Sequence, residues 1–203
     1  MSAHLLLVAA LAGSPVFAQD PPPPPPAAEA HASLAEARRL QTELRTLAKK
    51  NAWTGVDRAF RELELTGVMP EYDDYFFGAH AARALGDIGT TRTRLRRCLA
   101  IREEKEVVDW LWEIDEHYGP ITLQGDLGRV HLDPKVHPFD PVAAQAVVFA
   151  VDQVEHTGSF DGYLPAGEYG FGHVNVAVKP RVSGDLVDIR TQRGARKRRG
   201  RKR

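Results

Sequence analysis

Apolar residues recur at intervals of three and four positions from residue 34 to residue 48, which is the spacing of one face of an α-helix. Ser33 precedes this stretch and Glu36 follows three residues later, a capping-box pattern that predicts the start of the helix at Ser33. The sequence Lys-Lys-Asn at residues 49–51 predicts its end, because cations suit the negative end of a helix and asparagine adopts the left-handed conformation.

Four more stretches of the chain show the same helical spacing. They predict helices over residues 53–65, 72–85, 88–101 and 104–118. Gly67, Gly86 and Gly119 follow three of them, and glycine is the residue that most often ends a helix. Residues 33–118 are therefore predicted to consist of five helices joined by short turns.

The pattern of the second predicted helix and the turn before it is repeated thirty-five residues later. Five positions correspond in this way: Asn51, Trp53, Val56, Phe60 and Leu63 match Gly86, Ile88, Thr91, Leu95 and Cys98. The fifth predicted helix keeps the register of the third. A fixed period of this length is typical of solenoids built from stacked helix pairs.

On these residues, positions 33–118 resemble tetratricopeptide-type repeats. The resemblance implies a scaffold that binds a protein or peptide, with the first helix of each pair lining a concave groove. It makes four side chains candidates for contact with a partner: Arg45, Tyr75, Arg83 and Trp110. The alternative is that these side chains only pack the helices together.

Beyond residue 120 the helical spacing gives way to short alternation. Residues 121–123 and 129–132 alternate on either side of a Gly-Asp turn and predict a hairpin. An Asp-Pro pair at residues 140 and 141 predicts the N-cap and first residue of a helix that ends near Gly158. Three further strands are predicted, over residues 167–171, 174–178 and 186–189.

Residues 164–169, Leu-Pro-Ala-Gly-Glu-Tyr, are similar to the strand-entry turn of small immunoglobulin-like modules on bacterial exported proteins. In those modules Pro-x-Gly forms a tight turn and the aromatic residue enters the core. Residues 120–189 are predicted to form a small α+β module, which at this size is expected to pack against residues 107–118. The predicted fold is mainly α: a short helix-turn-helix solenoid, residues 33–119, followed by this module.

The N-terminus has the pattern of an export signal. Residues 5–12 are apolar without interruption, and Val-Phe-Ala at residues 16–18 has the small or apolar residues that precede a signal-peptidase site. The apolar run is too short to span a bilayer, so no integral membrane span is predicted. Residues 1–18 are interpreted as a signal peptide of an exported protein, periplasmic or extracellular; without such a signal the protein would be cytoplasmic.

Residues 19–32 are predicted to be a proline-rich linker. Six consecutive prolines, residues 21–26, favour polyproline II and would span roughly 19 Å at about 3.1 Å per residue. The favoured interpretation is a stiff spacer, and the alternative is a ligand for an aromatic groove.

The chain is formally neutral, with 27 basic and 27 acidic residues, but its charges are segregated. Nine basic residues and no acidic residue lie in residues 190–203, which leaves a net charge of −9 on the remainder. This tail is too polar to form a core and is predicted to be disordered. It could bind an anionic lipid surface, an envelope polymer or nucleic acid, or neutralise the acidic body. The residues proposed to contact a polyanion are Arg196, Lys197, Arg198, Arg199, Arg201, Lys202 and Arg203.

Residue types that carry catalysis or metal binding do not occur in the usual patterns. Cys98 is the only cysteine, which excludes an internal disulfide, and its place on an apolar helix face predicts a buried, unreactive thiol. The histidines of the C-terminal module lack zinc-site spacings. Carboxylate pairs such as Asp73-Asp74 point about 100° apart on a helix, and no serine lies in a Gly-x-Ser-x-Gly turn. We predict no enzyme, no cofactor and no metal site.

Together these patterns favour a non-catalytic adaptor or scaffold that binds a protein partner in the bacterial cell envelope. The alternative is a protein that binds a polyanion through its basic tail. Deletion of residues 190–203 would separate these two hypotheses.

Overall fold

The structure is a computed structural model that describes residues 27–181 and 184–189, with side chains from residue 31 onward. Within these residues the elements are, in chain order, α1 (Ala27–Ala48), α2 (Trp53–Leu65), α3 (Tyr72–Leu85), α4 (Ile88–Ile101), α5 (Lys105–His117), β1 (Tyr118–Gln124), β2 (Leu132–Pro134), α6 (Pro141–Thr157), β3 (Ser159–Pro165), β4 (Gly167–Phe171), β5 (Val174–Val178) and β6 (Asp185–Asp188). The predicted class is confirmed: a mainly α fold with a small α+β module.

The predicted bounds of the helices agree with the structure at every end but one. Helices α2 to α6 begin and end within one residue of the prediction, and Asn51 and Gly86 adopt the left-handed conformation that ends α1 and α3. The predicted cap at Ser33 is wrong, because α1 begins at Ala27 and Ser33 lies inside it. Residues 27–30, Ala-Ala-Glu-Ala, are strong helix formers, so the helix extends into the segment assigned to the linker.

Helices α1 to α5 pack in the order of the chain, and helices two positions apart also touch. Gln41 of α1 donates through Nε2 to the Asp74 carboxylate of α3 at 2.8 Å, and Arg94 of α4 pairs with Asp57 of α2. This is the contact pattern of stacked helix pairs. Membership in the tetratricopeptide family stays a prediction.

A buried ion pair joins three of these helices. Arg94 donates through Nη1 to Asp57 Oδ1 and to the carbonyl oxygen of Gly78, both at 2.7 Å. The guanidinium lies 4.3 Å from the ring centroid of Phe60, and Arg61 supplies a second cation 2.8 Å from Asp57 Oδ2. Because Asp57 and Arg94 are both buried, each depends on the other for compensation of its charge.

The C-terminal module contains two three-stranded sheets and α6. In the first sheet, β1 lies between β3, which is antiparallel to it, and β6, which is parallel. In the second, β4 lies between β2 and β5, with both pairs antiparallel. Helix α6 begins at Pro141 after the N-cap Asp140, whose carboxylate accepts from the Ala143 amide, and its apolar side joins both sheets in one core.

Strand pairing in the module differs from the prediction. The hairpin of residues 121–123 with 129–132 is wrong, because β1 pairs with β3 and β6, whereas β2 pairs with β4. Strand β3 has no counterpart in the prediction. The alternation of apolar residues in β3 is interrupted by Gly162. A Cβ at this position would lie 2.7 Å from the Phe160 ring, so the packing requires glycine. Glycine is depleted in strands, and its presence therefore weakens the strand pattern in the sequence.

The turn between β3 and β4 places Tyr169 as its sequence motif predicts. The ring of Tyr169 is buried in the module core, and its hydroxyl donates to the carbonyl oxygen of Pro165 at 2.8 Å. Burial raises the pKa of this phenol to about 12. The resemblance of the whole module to an immunoglobulin-like domain stays a prediction.

The module packs against the helices, as its small size predicts. Tyr118 and Ala146 are buried in the same cluster as residues of α3, α4 and α5, and Tyr163 packs at its edge. The contact extends beyond the predicted residues 107–118, because α6 lies against α3 and β3 lies against α4. One hydrophobic core is therefore built from residues of both the helices and the module.

The single thiol lies in that shared core. Cys98 is buried, its Sγ is 3.7 Å from the Tyr72 carbonyl oxygen, and burial raises its pKa to about 12. This confirms the predicted position of the thiol in the core.

We predict that native Cys98 resists thiol–disulfide exchange at pH 8, because about one part in ten thousand of the thiol would be the reactive thiolate and burial shields it from the reagent. The rate of reaction is measured with a disulfide reagent that releases a coloured thiolate, added with and without urea. Reaction should begin only as the protein unfolds, and rapid labelling without urea would contradict the buried position.

Candidate partner-binding site

Half-buried aromatic rings from three helices form a continuous surface. We call it the aromatic face and define it by Trp53 at the start of α2, Phe76, Phe77 and His80 of α3, and Trp110 of α5. Each ring is partly covered by its neighbours and partly exposed to solvent. The face therefore offers a large apolar area held in place by the helices.

The imidazole of His80 is the centre of the aromatic face. Its centroid lies 5.8 Å from that of Trp53, in a nearly parallel stack, and 4.5 Å from that of Trp110, at a steep angle. Phe76 meets His80 edge-on at 4.8 Å and stacks on Trp110 at 5.9 Å. These are the offset-stacked and edge-to-face geometries in which aromatic pairs attract each other.

The composition of α3 explains why large rings lie at its surface. Its buried side consists mainly of small residues, Gly78, Ala79, Ala81 and Ala82, which allow α2 and α4 to approach closely. A Cβ at Gly78 would lie 2.9 Å from the ring of Phe60, so no larger residue fits there. The large side chains of α3 are consequently left at the boundary with solvent.

Charged groups border the aromatic face. Arg83 donates through Nη2 to Glu113 Oε1 at 2.7 Å, and its guanidinium lies 4.7 Å from the Trp110 ring centroid. Burial lowers the pKa of His80 below its ordinary value; Glu106 opposes this shift and Arg83 adds to it. The lowered pKa favours the neutral imidazole at pH 7, so the face combines an uncharged centre with a charged rim.

The structure brings two of the four predicted contact residues together. Arg83 and Trp110 are adjacent at the edge of the aromatic face. Tyr75 packs against Phe60 between α2 and α3, with 5.5 Å between ring centroids, and burial raises its pKa. Arg45 is exposed and pairs with Glu71 at 3.4 Å, where α1 meets the start of α3.

Sequence reasoning missed Trp53, Phe76, Phe77 and His80 as members of the site. A signal for His80 exists in the sequence, because it follows Phe76 by four positions and so lies on the same side of α3. No such signal exists for Trp53, which reaches His80 only through the packing of α2 on α3.

Several predicted sites lie outside the described residues. They are the signal peptide, the proline run and the polyanion-binding residues Arg196, Lys197, Arg198, Arg199, Arg201, Lys202 and Arg203. Within residues 27–181 and 184–189, no three His, Cys, Asp or Glu side chains are grouped so that they could hold a metal ion. None of the helices in the described part of the chain combines the length and apolar character that a bilayer span needs.

Comparison with protein-family models, with curated proteins and with solved structures finds no match to this chain. The functional assignment therefore depends on the residues and their geometry.

Proposed function

We propose that this protein is a non-catalytic adaptor of the bacterial cell envelope, which binds a protein partner through the aromatic face. The observation that supports this most directly is the set of partly buried rings held together on α2, α3 and α5. The export pattern of residues 1–18 supports a periplasmic or extracellular location for this adaptor.

The chemistry of the aromatic face suits a protein ligand. Tryptophan and arginine are the residues most enriched among those that dominate protein–protein binding energy, and Trp53, Trp110 and Arg83 are all present here. The Arg83–Glu113 pair lies at the rim, where charges favour correct orientation over affinity. The rings are already held by one another, so little side-chain entropy remains to be lost on binding.

We predict that Trp110→Ala weakens partner binding by at least about tenfold, the loss expected when a tryptophan that dominates a protein interface is truncated. Wild-type protein and variants are immobilised and used to capture proteins from an envelope extract at low and high salt, and the captured protein is then titrated in purified form. Phe139→Ala is the matched control, because Phe139 is a fully exposed aromatic residue of the module outside the aromatic face.

Trp110 also packs against Phe76 and His80, so folding must be checked separately. Trp110→Phe keeps a ring in place and is expected to retain most of the binding. A captured partner that binds Trp110→Ala and wild type equally would overturn the proposal.

A second candidate function is polyanion binding by the basic tail. It is supported by the nine basic residues in residues 190–203, set against a net charge of −9 on the rest of the chain. Truncation after residue 189 is expected to abolish salt-sensitive binding to anionic lipid vesicles and to leave capture by the aromatic face intact. Loss of every interaction on truncation or at high salt would favour this second function over the adaptor.

A further inference from the structure

A cleft of about 450 Å³ lies where α4 and α5 meet the start of the module. Its walls include Arg92 of α4, Trp112 and Asp115 of α5, Tyr163 of β3, and Arg181 after β5. Clefts of this size at the junction of structural units are common places for small ligands to bind.

The charges of this cleft are already paired. Arg92 donates to Asp115 through Nε at 2.8 Å and through Nη2 at 3.3 Å. Arg181 contacts Glu116 through one pair of atoms, Nη2 and Oε1, and Glu116 lies outside the residues that line the cleft. The lining itself therefore carries two guanidinium groups and one carboxylate, and Glu116 balances the second guanidinium from outside it.

Flat aromatic surfaces lie beside these pairs. Trp112 is 60% exposed, although it belongs to a helix that packs on two sides. Tyr163 lies below Arg92, whose guanidinium is 5.5 Å from the ring centroid. The exposed indole has no role in the core, since the apolar clusters of the described residues do not include it.

Two further features of the cleft work against stability. Arg181 has a φ of 58°, in the left-handed region that residues other than glycine, asparagine and aspartate rarely adopt. Asp115 and Glu116 lie in the last turn of α5, where the helix dipole disfavours carboxylates. Costly arrangements of this kind gather at ligand sites more often than elsewhere.

We propose that this cleft binds a neutral saccharide, with a pyranose ring stacked on Trp112 and its hydroxyls hydrogen-bonded to the Arg92–Asp115 pair and to Arg181. Hydroxyls both donate and accept, so they match walls that offer guanidinium donors together with a carboxylate acceptor. A phosphate or carboxylate would have to compete with Asp115 and Glu116 for the same guanidinium groups. An aliphatic ligand would cover these charges without satisfying their hydrogen bonds.

Calorimetric titration of the full-length protein tests this proposal with maltotriose, cellotriose and the trimer of N-acetylglucosamine, and with inorganic phosphate as the anionic probe. At least one trisaccharide is expected to bind saturably and more tightly than phosphate. Trp112→Ala should weaken that binding about tenfold, or about 1.4 kcal/mol. Phe139→Ala, an exposed aromatic outside the cleft, should not change it.

Arg181→Gly separates a role in binding from a role in folding. Glycine accepts the left-handed backbone freely, so the melting temperature should stay the same or rise, while the saccharide binds at least about threefold more weakly. The proposal is overturned if none of the three trisaccharides binds, if phosphate binds more tightly than all of them, or if Trp112→Ala binds as wild type does.

Discussion

Replacement of Asp57 by alanine is expected to lower the free energy of unfolding by about 3–5 kcal/mol. Asp57 is buried and accepts from Arg94 at 2.7 Å. Its removal leaves the guanidinium of Arg94 inside the protein, with the Gly78 carbonyl as its one remaining hydrogen-bond partner among the described residues. An uncompensated buried charge is among the few causes of so large a loss. Urea unfolding followed by circular dichroism measures the change.

Two further variants identify the cause of that loss. Arg61→Ala removes an exposed partner of the same carboxylate and should cost less than about 1 kcal/mol. The double variant Asp57→Leu/Arg94→Met removes both charges and should be more stable than Asp57→Ala alone, because hydrophobic residues of similar volume often replace a buried pair without loss. A double variant that is no more stable than Asp57→Ala would contradict a loss caused by the uncompensated guanidinium.

Replacement of Gly86 by alanine is expected to cost about 2–5 kcal/mol, from backbone strain and a steric clash together. Gly86 ends α3 with a φ of 89°, and a Cβ there would lie 2.4 Å from the Gln145 carbonyl oxygen and 2.9 Å from the Phe149 Cβ, both in α6. The backbone of α6 cannot give way without separating the module from α3. Thermal and urea unfolding should both show the loss.

Gly67→Ala is the matched control for this prediction. Gly67 has a similar φ of 75°, but no atom lies within 4 Å of the position of its Cβ. Its replacement should therefore cost only the strain, about 1–2 kcal/mol. Equal losses in the two variants would mean that α6 does not pack tightly against Gly86.

The two proposed binding surfaces lie on different sides of α5. Trp110 belongs to the aromatic face and Trp112 to the saccharide cleft. Each residue advances about 100° around a helix, so residues two positions apart point to nearly opposite sides. A protein partner and a saccharide could therefore occupy the molecule together, and each surface can be changed without altering the other.

Part of the site could be predicted from the resemblance to tetratricopeptide-type repeats. That resemblance implies that the first helix of each pair lines the groove, and it made Arg83 and Trp110 candidate contacts. The contribution of Trp53 could not be predicted, since it depends on how closely α2 approaches α3. That approach is set by the fit of Phe60 against Gly78, a contact between different helices.

The sequence by itself determined the helices and most of their ends, because periodicity, caps and glycines act within a few residues of one another. It also determined the burial of Cys98, which lies on the apolar side of α4, and the turn resemblance of residues 164–169 implied the burial of Tyr169. Only the tertiary structure decided the partners of β1, since alternation marks a strand but does not identify the distant strands that pair with it. The tertiary structure also decided the cleft beside Trp112, because the walls of this cleft come from helices and strands that meet only in the folded chain.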